Sequence, residues 1–294
     1  MKRKMLILTL LLASGSLLAV LFVPGCKALQ QMAGQTGYGD EFQFASSMYG
    51  AIAPISEAYE VEIGRTMGAR VIPMGGNLCK DEALTRYVNL VGQTVVRQQE
   101  RHKLQRHQFA VLNTDQVNAF SCPGGYFFIT KGALRLMDNE AQLAGLLAHE
   151  IAHVDREHIL GDIRTANIAS AFSSGLKIWG DRSEFARVMG NLSDFGVKRL
   201  FETGHSQSQE FEADKLGMQY AAAAGYDPDG LRQFLVKVEK AQKLSSTQCA
   251  VLQKTHPSLS SRVSALQKAT SSSDFKAGTG ATLPNRFQSY SRSR

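Results

Sequence analysis

Residue type and spacing imply chemistry at His149-Glu150-Ile151-Ala152-His153. Two histidines four apart on a helix sit about 40° apart around the axis and about 6 Å apart along it. Both imidazoles then share a face and can grip one zinc ion. Glu150 falls about 100° round from His149. It is poorly placed as a third ligand but can reach a water on the open side of the metal. Neutral nitrogen donors leave zinc acidic enough to bring that water's pKa toward ~7, and the carboxylate takes the proton as the oxygen attacks a peptide carbonyl. With 7 His and 14 Glu in 294 residues, about 0.008 such pentapeptides arise by chance, so an ordinary exposed His/Glu face explains it poorly. The neighbours Leu143, Leu146, Leu147, Ile151 and Val154 are apolar. A glutamate between two histidines in such a helix is costly to bury unless something binds it.

A third protein ligand is required. The metzincin pattern would put Gly at 156 and His at 159, and the chain has Arg156 and Ile159 there. His158 lies five residues past His153, about 140° round a continuous helix, and reads as structural. Downstream, Gln209-Glu210-Phe211-Glu212-Ala213-Asp214 places Glu210 and Asp214 on one helix face, with Glu212 roughly opposite. Glu210 is expected as the third ligand and Asp214 as the hydrogen-bond partner of a zinc histidine.

Helical periodicity predicts elements around these residues: Ser56–Val71, stopped by Pro73 and Gly75-Gly76; 81–103, with Leu84, Tyr87, Val88, Val91 and Val95 on one stripe; 139–158; one or two helices over 160–200; 208–224, stopped at Gly225; 230–243; and a short helix after His256-Pro257-Ser258, with Val263 and Leu266 inward. Alternation predicts strands at 108–113 and 125–130. From Ala269 the chain is Ser/Thr/Gly-rich and basic, which predicts a disordered tail over 270–294. Trp179 and the methionines read as packing. No internal repeat is present, so no tandem helical array is expected.

Four stretches carry a family resemblance: Val117-Asn118-Ala119-Phe120 through Gly125; Asn139-Glu140 through the zinc pentapeptide to His158; Ser208 through Asp214 with Gly217; and His256-Pro257-Ser258 with Arg262. The sequence resembles metallopeptidase family forty-eight, and most of all its bacterial periplasmic lipoprotein branch, without the helical-repeat domain of that branch. The resemblance implies an α+β, mainly helical, zincin-like (gluzincin) domain with a small β-sheet, spanning residues 51–269. It implies one Zn2+ per chain, held by His149, His153 and Glu210. It also implies an edge strand ahead of the zinc helix, at Gly125, Tyr126, Phe127 and Phe128, on which an extended substrate pairs; a buried core strand is the competing reading. His256 approaches the metal from a loop, either stabilising the oxyanion, or filling the open zinc position as an inhibitory fourth ligand, or simply bonding backbone. Arg262 either pins that loop or helps bind the oxyanion.

Composition agrees with a folded domain. The chain is 44% hydrophobic and 20% charged, with 26 Gly and 7 Pro, which excludes disordered, collagen-like and multi-span membrane classes. Lys2, Arg3 and Lys4 precede an apolar run from Met5 to Val23, a secretory signal over 1–25. Val23-Pro24-Gly25-Cys26 resembles a lipobox, with Cys26 lipidated and 26–50 as a tether; an uncleaved anchor is the alternative. Lys27 at the sorting position favours the outer membrane facing the periplasm. The formal charge of +7 falls to +4 on cleavage, and no basic stripe interleaves with aromatics, so nucleic acid is excluded as a partner. Cys79, Cys122 and Cys249 remain, and Cys79–Cys122 is the pair that could form. The function expected is a zinc endopeptidase acting on misfolded or stalled envelope proteins, with unfolded or misassembled proteins and the membrane as partners. The alternative is a chaperone-like or assembly module whose zinc is structural or regulatory.

Overall fold

The computed structural model describes residues 55–100, 104, 106–165, 182–244, 252, 255–256, 259–271 and 275–291. Cys26, the signal and tether segments, Trp179, Cys249, Pro257 and Ser258 lie outside them. The described residues of 55–162 and 189–291 form one compact unit. It carries every element discussed below except the last residues of α5 and the first of α6.

Helix α1 (Glu57–Met74) is capped by Ser56, whose side chain accepts from Tyr59 N. It continues through Pro73, one turn beyond the predicted stop, and ends at Gly75 before Gly76 (φ 102). Pro73 has no N–H to give to Ala69 O, so the last turn forgoes one helical hydrogen bond before the helix ends at Gly75. Helix α2 (Glu82–Val96) buries the predicted stripe Leu84, Tyr87, Val88, Val91 and Val95. Strands β1 (Gln108–Leu112), β2 (Ala119–Cys122) and β3 (Tyr126–Thr130) form a sheet ordered β1-β3-β2, with β1/β3 parallel and β2/β3 antiparallel. The turn between β2 and β3 uses Gly124 at φ 74, where a Cβ would lie 2.5 Å from Val61 Cα.

This sheet corrects the edge-strand expectation. Tyr126, Phe127 and Phe128 sit on the central strand, paired on both sides, and Phe127 and Phe128 are buried. An all-apolar run such as Phe127-Phe128-Ile129 is what two covered faces require. The small strand β2 carries one of the two sheet edges.

After the short α3 (Lys131–Leu136), helix α4 (Glu140–Asp155) holds the zinc pentapeptide. Asn139 caps it, accepting from Gln142 N at 3.1 Å, and every residue of the helix is buried. Then follow α5 (His158–Thr165), α6 (Arg182–Lys198), a π-helical turn (Arg199–Thr203), α7 (Gln207–Ala223), α8 (Gly230–Leu244), α9 (Leu259–Thr270) and α10 (Pro284–Ser291). A full capping box, Ser206 with Gln209, starts α7. Helix α7 packs tightly on α4 at Gly217, where a Cβ would meet His149 N at 2.8 Å and Cα at 2.9 Å.

Two further expectations are corrected. The region after 269 is not simply disordered: α10 buries Phe287 to 1% exposure and stacks Tyr290 on Tyr87, ring centroids 4.5 Å apart. Thr282 O accepts from Glu140 N at 2.9 Å and Ala141 N at 3.3 Å, so this segment caps the zinc helix. Arg286 pairs with the fully buried Glu140, which also accepts from the hydroxyls of Tyr87 and Tyr226 at 2.8 and 2.7 Å. Cys79 and Cys122 are both free thiols, and burial on β2 pushes the Cys122 thiol pKa up.

Candidate metal centre

His149 and His153 project from successive turns of α4 with their Nε2 atoms 3.0 Å apart. Glu210, in the first turn of α7, brings its carboxylate to 3.7 Å from His149 Nε2 and 3.4 Å from His153 Nε2. Donors bonded at 2.0–2.1 Å to a tetrahedral ion lie about 3.3 Å from one another, so the three fit one zinc-sized ion. His256 Nδ1 lies 3.1 and 3.2 Å from the two Glu210 oxygens, and the ligand atoms of all four residues lie within 4.8 Å of one another. The four are buried.

The charge balance supports a divalent cation. Glu150, Glu210 and Asp214 are all at most 2% exposed, and beside them stands one guanidinium, Arg262, at 1%. Formally this leaves two negative charges in a buried space; His256, when protonated, offsets one of them, and the remainder still calls for a cation. Glu150 Oε1 is buried and has no hydrogen-bond partner among the described residues; it lies 4.0 Å from His256 Nε2.

Arg262 acts on carboxylates. Its Nη1 lies 2.6 Å from Glu210 Oε2, while Nε and Nη2 bind the two Asp214 oxygens at 2.8 and 2.6 Å. Burial disfavours the charged form of Glu210, but the charges of His256 and Arg262 outweigh it and hold its pKa well below the usual carboxylate range. Asp214 is likewise lowered: burial opposes, and Arg262 and His149 prevail. Asp214 Oδ1 is 3.0 Å from His149 Nδ1, as expected from the sequence, although the contact is not aligned as a good hydrogen bond. Burial, then the neighbouring His205, pushes the His153 pKa well down, which keeps the imidazole neutral and its lone pair available.

The structure thus brings together His149, Glu150, His153, Glu210, Asp214 and His256. It leaves Tyr126, Phe127 and Phe128 on the central strand and Gly125 in the turn before it. Three partners were not legible as such. His205 follows Gly204 (φ 68), ties the His256 loop down through His205 N to Thr255 O at 3.1 Å, and stacks its ring on His153 at 3.9 Å. His158 and Glu212 stand on the far side of His153. Only the local concentration of histidine around the zinc motif hinted at them.

A sequence model of peptidase family M48 matches residues 82–270. The chain belongs to peptidase family M48. Its fold is therefore the zincin-like, mainly helical domain with a small mixed sheet described above. The chain is 31% identical over 190 residues to the beta-barrel assembly-enhancing protease of Escherichia coli (strain K12), covering 63% of this chain and 39% of that protein. It is 28% identical over 162 residues to the mitochondrial metalloendopeptidase OMA1 of Schizosaccharomyces pombe, covering 54% and 45%. To the OMA1 metalloendopeptidase of Bos taurus it is 30% identical over 169 residues, covering 54% and 31%. The chain spans less than half the length of these curated relatives. Segment 275–291, which caps the zinc helix, lies outside the stretch matched by the M48 model.

Proposed function

We propose that this M48 protein is a zinc-dependent endopeptidase of the bacterial cell envelope, anchored by a lipid on Cys26, that cleaves misfolded or stalled envelope proteins. The observation that carries the reading is Glu150. A buried carboxylate oxygen without a partner among the described residues, beside three converging metal donors, is where a general base must stand. Zinc, when bound by His149, His153 and Glu210, supplies Lewis acidity toward a carbonyl and toward water. Glu150 accepts the proton of the attacking water at Oε1 and returns it to the leaving amine. Arg262 and Asp214 keep Glu210 and His149 in place. His256 sits among the donors, Nδ1 3.1 Å from Glu210 Oε1 and Nε2 4.0 Å from Glu150 Oε1, where its ring either takes the fourth position or faces the developing oxyanion. The envelope location rests on the signal-like residues 1–25 and on relatives named for β-barrel assembly.

One observation favours the second reading. Four protein donors converge, and four-coordinate closure by side chains is typical of structural zinc. That reading makes the protein an assembly or chaperone module. Metal content and cleavage of unfolded casein, each with and without chelator, separate the two. The peptidase reading expects about one zinc per chain and cleavage that stops on chelation and returns with zinc. Zinc-loaded protein that never cleaves sinks it.

A further inference from the structure

His153 is gripped from both sides. Its Nε2 faces the metal donors, 3.0 Å from His149 Nε2 and 3.4 Å from Glu210 Oε1. Its Nδ1 faces the other way, 2.8 Å from His158 Nδ1. His158 turns its Nε2 to Glu212 Oε2 at 3.3 Å, and Glu212 Oε1 lies 3.3 Å from Arg156 Nε. His153 and His158 are buried, whereas the side chains of Glu212 and Arg156 are 50% and 34% exposed.

Local backbone makes this possible. On a continuous helix His158 would point about 140° away from His153. Helix α4 instead stops at Asp155, and Glu157 takes a left-handed φ of 54°, so the chain turns and α5 starts with His158 returned to His153. On α7, Glu210 and Glu212 are two residues apart and so point to opposite sides; one reaches the Nε2 side of His153, the other its Nδ1 side by way of His158.

We infer that His158 and Glu212 are positioning residues that fix the tautomer of the zinc ligand His153. The inference rests on the metallopeptidase reading and concerns how its metal site is held. An ionised carboxylate only accepts, so Glu212 takes the Nε2–H of His158. Neutral His158 then has a bare Nδ1, which accepts the Nδ1–H of His153. The lone pair of His153 is left on Nε2, the atom that faces the other donors. Reversing the chain would put the proton on His153 Nε2 and remove the ligand. Outer hydrogen bonds of this kind orient metal-binding histidines and raise their basicity. The two imidazoles are therefore held differently. His149 leans on a buried Asp214 clamped by Arg262, whereas the His153 arm runs through a second histidine to a carboxylate half in solvent.

A rival use of the same residues is a second metal site, because ring nitrogens of His153, His158 and His205 also converge and His205 Nδ1 is buried without a partner. The spacing argues against it. Two nitrogens on one tetrahedral ion lie about 3.3 Å apart, and the observed 2.8 Å is a hydrogen-bond length.

The test compares His158→Asn with His158→Leu in the whole chain. The two side chains have nearly the same shape, but Asn offers Oδ1 where Nδ1 stood and Leu offers nothing. Zinc affinity and stoichiometry are measured by competition with a chromophoric chelator. Leu is expected to weaken zinc binding roughly 10- to 100-fold and Asn to stay within a few-fold of the parent. Glu212→Ala, half exposed and therefore expected to fold, weakens it several-fold. Equal affinity in Leu and parent overturns the inference, as does an equal loss in Leu and Asn, which would mean packing alone. A parent that binds two zinc ions, with the second lost and the first untouched in His158→Leu, overturns it in favour of the second site. A parent that binds no zinc overturns the metallopeptidase reading itself and is distinguished by its failure before any variant is made.

Discussion

Arg262 places Nη1 2.6 Å from Oε2 of Glu210, so the carboxylate that completes the candidate metal site is fixed by a guanidinium that is 1% exposed. The same guanidinium clamps Asp214 with its other two nitrogens. Losing one partner of such a buried network leaves uncompensated charge and costs about 3–5 kcal/mol. Arg262→Leu is therefore expected to lower the melting temperature sharply and to weaken zinc binding. Arg262→Lys keeps the charge but loses the planar fork and is expected to fall between. Thermal unfolding with and without zinc checks both; a Leu variant that melts with the parent contradicts the assignment.

Gly217→Ala tests the approach of α7 to α4. The new Cβ would meet backbone atoms of His149 at 2.8 and 2.9 Å, which cannot rotate away. The helices must separate, moving Glu210 relative to the histidines. A destabilisation of roughly 1–3 kcal/mol is expected, with zinc affinity reduced as well. Unchanged affinity at reduced stability would contradict the coupling of this contact to the placement of Glu210.

The capping segment gives a third expectation. Phe287→Ala removes a ring buried to 1% exposure against Tyr87 and is expected to cost about 3–5 kcal/mol. Limited proteolysis should then cut within 275–291 well before the rest of the domain. Cleavage elsewhere first contradicts the docking of α10.

Acid sensitivity should follow Glu140. Burial alone would raise its carboxyl pKa, but hydrogen bonds from Arg286, Tyr226 and Tyr87 outweigh burial and lower it. A lowered folded-state pKa stabilises above the unfolded carboxyl pKa, about 4.3, and this contribution is lost as pH falls through the lower folded value. Arg286→Ala removes the charged partner. The acid-unfolding midpoint of that variant is expected at higher pH than the parent's; an unchanged midpoint would mean that other carboxylates govern acid stability.

What could be read from sequence was local. The His149/His153 pair, the Glu210/Asp214 face and the stripe of α2 follow from helical periodicity alone, and the structure places them as expected. What could not be read depends on the chain leaving regular geometry or on long-range pairing. The direction of the His158 side chain does not follow from helical register, because Glu157 breaks the helix and turns His158 back to His153. Residues 126–130 have the composition of a strand, but strand order lies in neither Tyr126 nor Phe128; it emerges from the parallel partner β1 and the four-residue β2. Residues 270–294 read as disordered because Ser, Thr and Gly dominate them, while docking rests on Arg286 and Phe287. His205 gave no periodic signal, since its position follows from a π-helical turn and a glycine at φ 68.

The most direct test of the central claim is Glu150→Gln, assayed for zinc content and for cleavage of unfolded casein on one preparation. Gln keeps the shape and cannot accept the proton, and Glu150 is not among the proposed ligands. Zinc is expected to stay near one per chain while cleavage falls by roughly 10²- to 10⁴-fold. A zinc-loaded Glu150→Gln protein that cleaves casein at the parent's rate contradicts the account.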